Sequence, residues 1–134
     1  MAAISRNVLV LVFLVLLAGC STTPKTNTKT VKDGSWVGYT ETGIASYYAD
    51  KHQNRKTANG ETYRHDLKTA AHKELPFGSV VEVTNLANGK SVVVAINDRG
   101  PFVRGRIIDL SKSAFSSIGS LSSGLLDVRI EVVK

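Results

Sequence analysis

The sequence is poor in the residues that staple or cross-link a small protein. It has one cysteine, one methionine, one tryptophan and three prolines in 134 residues, and aromatics make up 7% of it. One cysteine excludes an intrachain disulfide framework and a cysteine-based zinc cluster. The length excludes a two-domain dinucleotide-dependent enzyme and a (β/α)8 barrel, which needs about 250 residues. No glycine-rich phosphate loop is present. The three histidines, His52, His65 and His72, show no metal-ligand spacing, so neither a metal nor a cofactor is expected. No internal repeat is seen. What remains is 43% hydrophobic and 21% charged, the composition of a folded domain, with 17 Lys+Arg against 11 Asp+Glu and a net charge of +6.

The N-terminus reads as an address. Arg6 precedes an apolar run from Val8 to Leu17, about ten residues, which suits a signal peptide and is half of what a membrane span requires. Small residues follow and then the sole cysteine, in the order Leu17, Ala18, Gly19, Cys20. This order resembles the bacterial lipobox, which implies cleavage after residue 19 and lipidation of Cys20. Acyl chains contribute about 0.8 kcal/mol per buried CH₂, so several of them anchor firmly. Ser21, not Asp, follows the cysteine; among lipoproteins of this kind that implies the outer membrane. Removing the leader, whose one charged residue is Arg6, takes the chain from 134 residues and +6 to 115 residues and +5. A basic domain outside the cytoplasm points away from nucleic acid and towards anionic wall polymers or lipid head groups.

Residues 21–33, STTPKTNTKTVKD, have no apolar period and read as a solvated tether. We therefore assign 20–37 to lipidated cysteine and tether, and 38–134 to one domain. Short strands are expected over 43–48, 69–72, 80–86, 91–96, 106–110 and 125–133. Asn88-Gly89 supplies a hairpin turn between the third and fourth. The fourth is apolar throughout from Val92 to Ile96, which predicts burial on both faces. Ser111 reads as the N-cap of a short helix over 112–118, ended by Gly119. Six strands and one short helix predict an all-β fold, a small barrel.

Two segments break the strand pattern. The first, residues 57–63, contains the turn signal Asn59-Gly60 followed by Glu61. The second, residues 97–102, carries Asp98 and Arg99 at the end of the most apolar strand. Burial there favours the protonated acid, and Arg99 favours the carboxylate. His72, at the end of a small-residue strand, reaches the same rim if the strands close. Two carboxylates and a histidine suit glycosidic bond cleavage, which needs an acid for the leaving oxygen and a second group for the anomeric centre. Plainer readings also fit: Asp98 capping a turn, Glu61 as a solvated loop residue, His72 as a core histidine. Tyr47, Tyr48 and Tyr63 are candidates for stacking on sugar faces or for barrel packing. Asn59 and Arg99 are candidates for substrate contact. His52 and His65 read as surface residues, and Asp109 and Asp127 as structural or solvent-facing.

The ordered set GIASYY (43–48), KTANGE (56–61), TAAH (69–72), LPFG (75–78), VTNL (83–86), NDRGPFV (97–103) and GRIIDLS (105–111) resembles the rare lipoprotein A family. Each motif is weak, but the ordered set is specific and spans most of the mature chain. The resemblance implies a six-stranded double-psi β-barrel, shared with expansins, and a periplasmic enzyme acting on peptidoglycan glycan strands. Active members are lytic transglycosylases, which cut between N-acetylmuramic acid and N-acetylglucosamine without water. The muramyl C6 hydroxyl attacks its own anomeric carbon and leaves a 1,6-anhydro end, an intramolecular step with high effective molarity. The matching active-site positions are Glu61, His72 and Asp98. By the same resemblance Asp98 is expected to act as acid and then base, Glu61 as the second carboxylate, and His72 as a residue that positions a carboxylate.

Two departures stand out. Many members carry a C-terminal peptidoglycan-binding SPOR repeat, whereas here the last strand runs to the final residues, so septal targeting by that module is not expected. Residues 49–55, ADKHQNR, replace a usual glycine-rich segment and alter one side of the groove. The competing readings are an expansin-like module that loosens the wall without cutting it, and a hydrolase on the same fold. The pair Glu61 and Asp98 favours an enzyme, since a pure binder needs no second acid.

Overall fold

The computed structural model describes residue 19 and residues 34–134. The rest of the leader, Cys20 and the tether to residue 33 lie outside the described residues. Among the described residues there are six strands and one α-helix: β1 (Thr40–Tyr47), β2 (Thr69–Ala71), β3 (Val80–Asn85), β4 (Ser91–Asp98), β5 (Arg106–Leu110), α1 (Lys112–Ile118) and β6 (Leu126–Val132). They close a barrel in the order β1-β5-β2-β4-β3-β6. The pairs β1–β5 and β2–β4 are parallel, and the other four are antiparallel. This is the all-β, six-stranded barrel with one short helix expected from the sequence, and it is consistent with a double-psi topology.

Alternation explains the inside. On β3, Val81, Val83 and Asn85 face inward, and on β6 Val128, Ile130 and Val132 do. They join Ile96, Ile108, Leu110 and the helix residues Phe115 and Ile118 in one core. Trp36, assigned to the tether by its surroundings in sequence, packs edge-on against Tyr39 and onto this core. The expectation of two-sided burial along β4 fails in its first half, where Val93 is 49% exposed. That half pairs with β3 in a hairpin whose outer face meets solvent, so its apolar run reflects strand preference rather than burial.

The helix is held at both ends by side chains. The Ser111 hydroxyl accepts from Ala114 N–H at 3.3 Å, as an N-cap should. At the other end the Asn85 and Asn88 amides donate to the Ile118 carbonyl at 2.8 and 2.9 Å. Gly119 ends the helix in an extended conformation, not a left-handed one. Its value is space: a Cβ there would meet the Leu126 methyls at 2.8 and 2.9 Å. Gly43 on β1 serves in the same way, since a Cβ would lie 2.6 Å from Ile107 Cγ2.

Candidate active site

Register places the acids. Asp98 ends β4 and pairs with Ala71 of β2; Ala71 pairs with Asp109 of β5; Asp109 pairs with Ser46 of β1. The four residues form one row across four strands, with the two acids two strand spacings apart, about 10 Å between Cα atoms. The small side chain of Ala71 between them leaves room above it. Tyr48 and Tyr63 fill that room, stacked on each other at 4.3 Å between ring centroids.

Asp98 is held by donors from three segments. The Tyr48 hydroxyl donates to Oδ2 at 2.6 Å, and the Ala58 and Arg99 N–H groups donate to Oδ1 at 2.9 Å each. Burial, chiefly, and then the hydrogen bond to Asp98 and the charges of Asp98 and Asp109 raise the Tyr48 phenol well above its ordinary range. Tyr48 therefore stays a donor. Asp109 Oδ1 accepts from Ser46 Oγ and from Arg106 Nη2 at 2.8 Å. An open cleft of about 370 Å³ lies over both acids, walled by Tyr47, His52, Arg99, Phe102 and Arg106. A larger cavity of about 520 Å³, lined by Gly43, Ile44, Leu86 and Asp127 among others, holds one acid and no partner for it. The smaller cleft, with its acid pair, is the one equipped for acid–base chemistry. Among the described residues no three His, Cys, Asp or Glu side chains converge on a metal-sized position.

Several sequence expectations change here. Asp109, expected to be structural or solvent-facing, is held by Ser46 and Arg106 and in addition lines the cleft with Asp98; the pairing of β2 with both β4 and β5, invisible in the sequence pattern, puts it there. Glu61 is exposed and is not among the residues that line the cleft; its Oε1 accepts from Asn59 Nδ2 at 2.5 Å. Its loop reaches Asp98 through Ala58 rather than through Glu61 itself. Asn59 is occupied in shaping that loop, accepting from Thr57 Oγ1 and from Glu61 N–H. His72 comes to Asp98 by its backbone, its N–H donating to the Asp98 carbonyl at 3.2 Å. His72 is buried, and its ring points to Glu41, a residue with no signal in the sequence pattern. His72 Nδ1 accepts from the Glu74 and Leu75 N–H groups, so Nε2 carries the proton and donates to Glu41 Oε2 at 2.9 Å. Burial opposes ionisation of Glu41, but the hydrogen bond from His72, with help from Tyr39 and Lys73, holds its carboxyl below the usual range.

Stacking on sugars is closed to two of the three tyrosines. Tyr63 is 2% exposed and Tyr48 9%, and each covers the other. Tyr47 packs on Phe115 and donates to the Leu121 carbonyl. Arg99 lines the cleft, but its guanidinium lies 3.9 Å over the Phe77 ring and donates to the His72 carbonyl. His52 is a cleft wall rather than a free surface residue, its ring edge-on to Tyr48. His65 is partly buried between the Tyr63 hydroxyl and Asp50.

Residues 40–130 match a family model described as "Lytic transglycolase", and the chain belongs to this family. The resemblance to rare lipoprotein A read from the ordered motifs is borne out by the relatives. The chain is 54% identical over 107 residues to the endolytic peptidoglycan transglycosylase RlpA of Pasteurella multocida, covering 80% of this chain and 36% of that protein. It is 54% identical over 97 residues to the protein of the same name from Campylobacter jejuni, covering 72% and 35%. The chain thus spans little more than a third of the length of these relatives. Among solved structures it is similar to the Streptomyces papain inhibitor, with a TM-score of 0.60 and 26% identity over 73% of this chain and 97% of that one. The expansin of Clavibacter michiganensis follows with a TM-score of 0.58 and 22% identity, over 71% and 50%. The expansin likeness shows the fold alone.

Proposed function

We propose that the chain is an endolytic peptidoglycan transglycosylase that cuts the bond between N-acetylmuramic acid and N-acetylglucosamine and leaves a 1,6-anhydromuramyl end. The observation that carries this reading is the pair of carboxylates, Asp98 and Asp109, facing one open cleft in a fold whose relatives bear that activity in their names. The reaction needs a proton for the departing glycosidic oxygen and a base for the muramyl C6 hydroxyl. Asp98 takes both parts in turn: it is set by Tyr48 and by two backbone N–H groups, so its oxygens stay fixed while the proton passes. Charge developing at the anomeric carbon calls for a second carboxylate, and Asp109 stands across the cleft for that task. Glu61 braces the loop whose Ala58 N–H donates to Asp98. His72 acts as a positioning residue, its ring fixed on Glu41 and its backbone N–H on the Asp98 carbonyl.

The same reading includes a lipid on Cys20 and a periplasm-facing place at the outer membrane. The order of residues 17–21 supports the lipid, and relatives named as peptidoglycan transglycosylases support the periplasm-facing place. The occupant of the cleft is the glycan strand, and no cofactor is required by the chemistry.

Mass spectrometry of purified sacculi incubated with the full chain in detergent tests the activity, beside Asp98→Asn. Anhydromuramyl products from the unmodified chain alone are expected, with the variant retaining its fold because the change is nearly isosteric. New reducing ends would instead make it a hydrolase. Retained binding to sacculi with no products would make it an expansin-like wall binder.

A further inference from the structure

One large apolar side chain at the cleft is unaccounted for by the fold. Phe102 is 81% exposed, more than any other large hydrophobic side chain among the described residues, of which the next is 55%. Leaving a phenyl ring in water forgoes roughly 1.5–3 kcal/mol that burial would return. The ring is not at a remote loop tip. It stands in the wall of the cleft, four residues beyond Asp98, with Asp109 in the same wall. One edge rests over Gly100, where a Cβ would come within 3.7 and 3.8 Å of Cε2 and Cδ2. Gly100, at a φ of +122° that side-chain-bearing residues rarely adopt, lets the turn fold back under the ring.

A pyranose ring has polar edges and an apolar face of C–H groups, and that face lies well on an aromatic ring. Of the tyrosines expected to offer such a surface, Tyr48 and Tyr63 are spent on each other, and Tyr47, in the cleft wall, has its ring packed on Phe115. We propose that Phe102 is the stacking platform of the cleft, carrying one sugar ring of the glycan beside the bond that Asp98 cuts. This rests on the reading of the cleft as a glycan site. Phe102 is a binding residue, so its loss weakens substrate capture and leaves the proton-transfer groups in place.

The test uses the full chain in detergent, with Phe102→Ala, Phe102→Leu and Phe102→Trp. Binding to purified sacculi is measured by sedimentation in an Asp98→Asn background, and KM and kcat for product release in the active background. With Ala and with Leu, half-saturation and KM rise about five- to tenfold while kcat stays within about twofold. Trp retains both. Leu separates a flat aromatic face from mere apolar bulk. Thermal midpoints remain unchanged, since the ring makes little of the core. Equal binding by the unmodified chain, Ala and Leu overturns the platform and leaves the activity standing. An unmodified chain that neither cuts nor sediments with sacculi overturns the glycan reading of the cleft, and the platform with it.

Discussion

At the scale of single residues, His72 separates two meanings of importance. Its ring spends both nitrogens on structure, with Nδ1 taking two backbone N–H groups and Nε2 giving its proton to Glu41. Replacing it with alanine strands the part-buried Glu41 carboxylate and two backbone donors. His72→Ala should therefore cost about 2–4 kcal/mol of stability in urea unfolding, with any loss of activity arriving alongside it. Asp109→Asn should behave in the opposite way. It keeps the shape of the side chain, so the unfolding midpoint should move little while product release falls at least tenfold. Asp127→Asn, on the exposed face of β6, is the control for both measurements. A His72→Ala chain as stable as the unmodified one, yet inactive, would mean that its imidazole has a direct chemical part.

At the scale of elements, most of the strands and the helix were legible because each declares itself locally. β3 alternates, α1 has Ser111 before it, and the hairpin turn has Asn88-Gly89. β1 begins three residues before the expected Gly43, because Thr40 to Thr42 pair with β6 although they show no apolar signal. The site was half legible. Asp98 and its loop stood out as breaks in a strand pattern. Asp109 did not, because the sequence alternates the same way whether β5 lies beside β1, β2 or neither. Glu41 was missed for a related reason: a lone acid near a strand start looks solvated until a buried imidazole is placed against it. The crossing of β1 and β5 has its own check. Gly43 lies under Ile107, and Gly43→Ala should destabilise the chain by about 1–3 kcal/mol in denaturant titration. An unaffected midpoint would show that Ile107 moves aside at no cost.

At the scale of the whole molecule, stability against pH follows from Glu41. A carboxyl held below its ordinary value of 4.5 stabilises the fold fully above that value, and the contribution is lost as pH falls through the lower folded value. Thermal midpoints should thus drop on acidification from about pH 5 to about pH 3, and the drop should be shallower in Glu41→Gln. Parallel slopes for the two proteins would assign the acid sensitivity elsewhere. The cleft has a kinetic consequence as well. Its contacts join residues 40, 50 and 63 positions apart in the chain: Ala58 with Asp98, Tyr48 with Asp98 and Ser46 with Asp109. Such long loops close slowly, on the millisecond-to-second scale of β-barrels rather than the microseconds of helical bundles. No single hairpin holds both acids: they come into one row only once β4 and β5 have each paired with β2, so the cleft is a product of barrel closure rather than of any local segment.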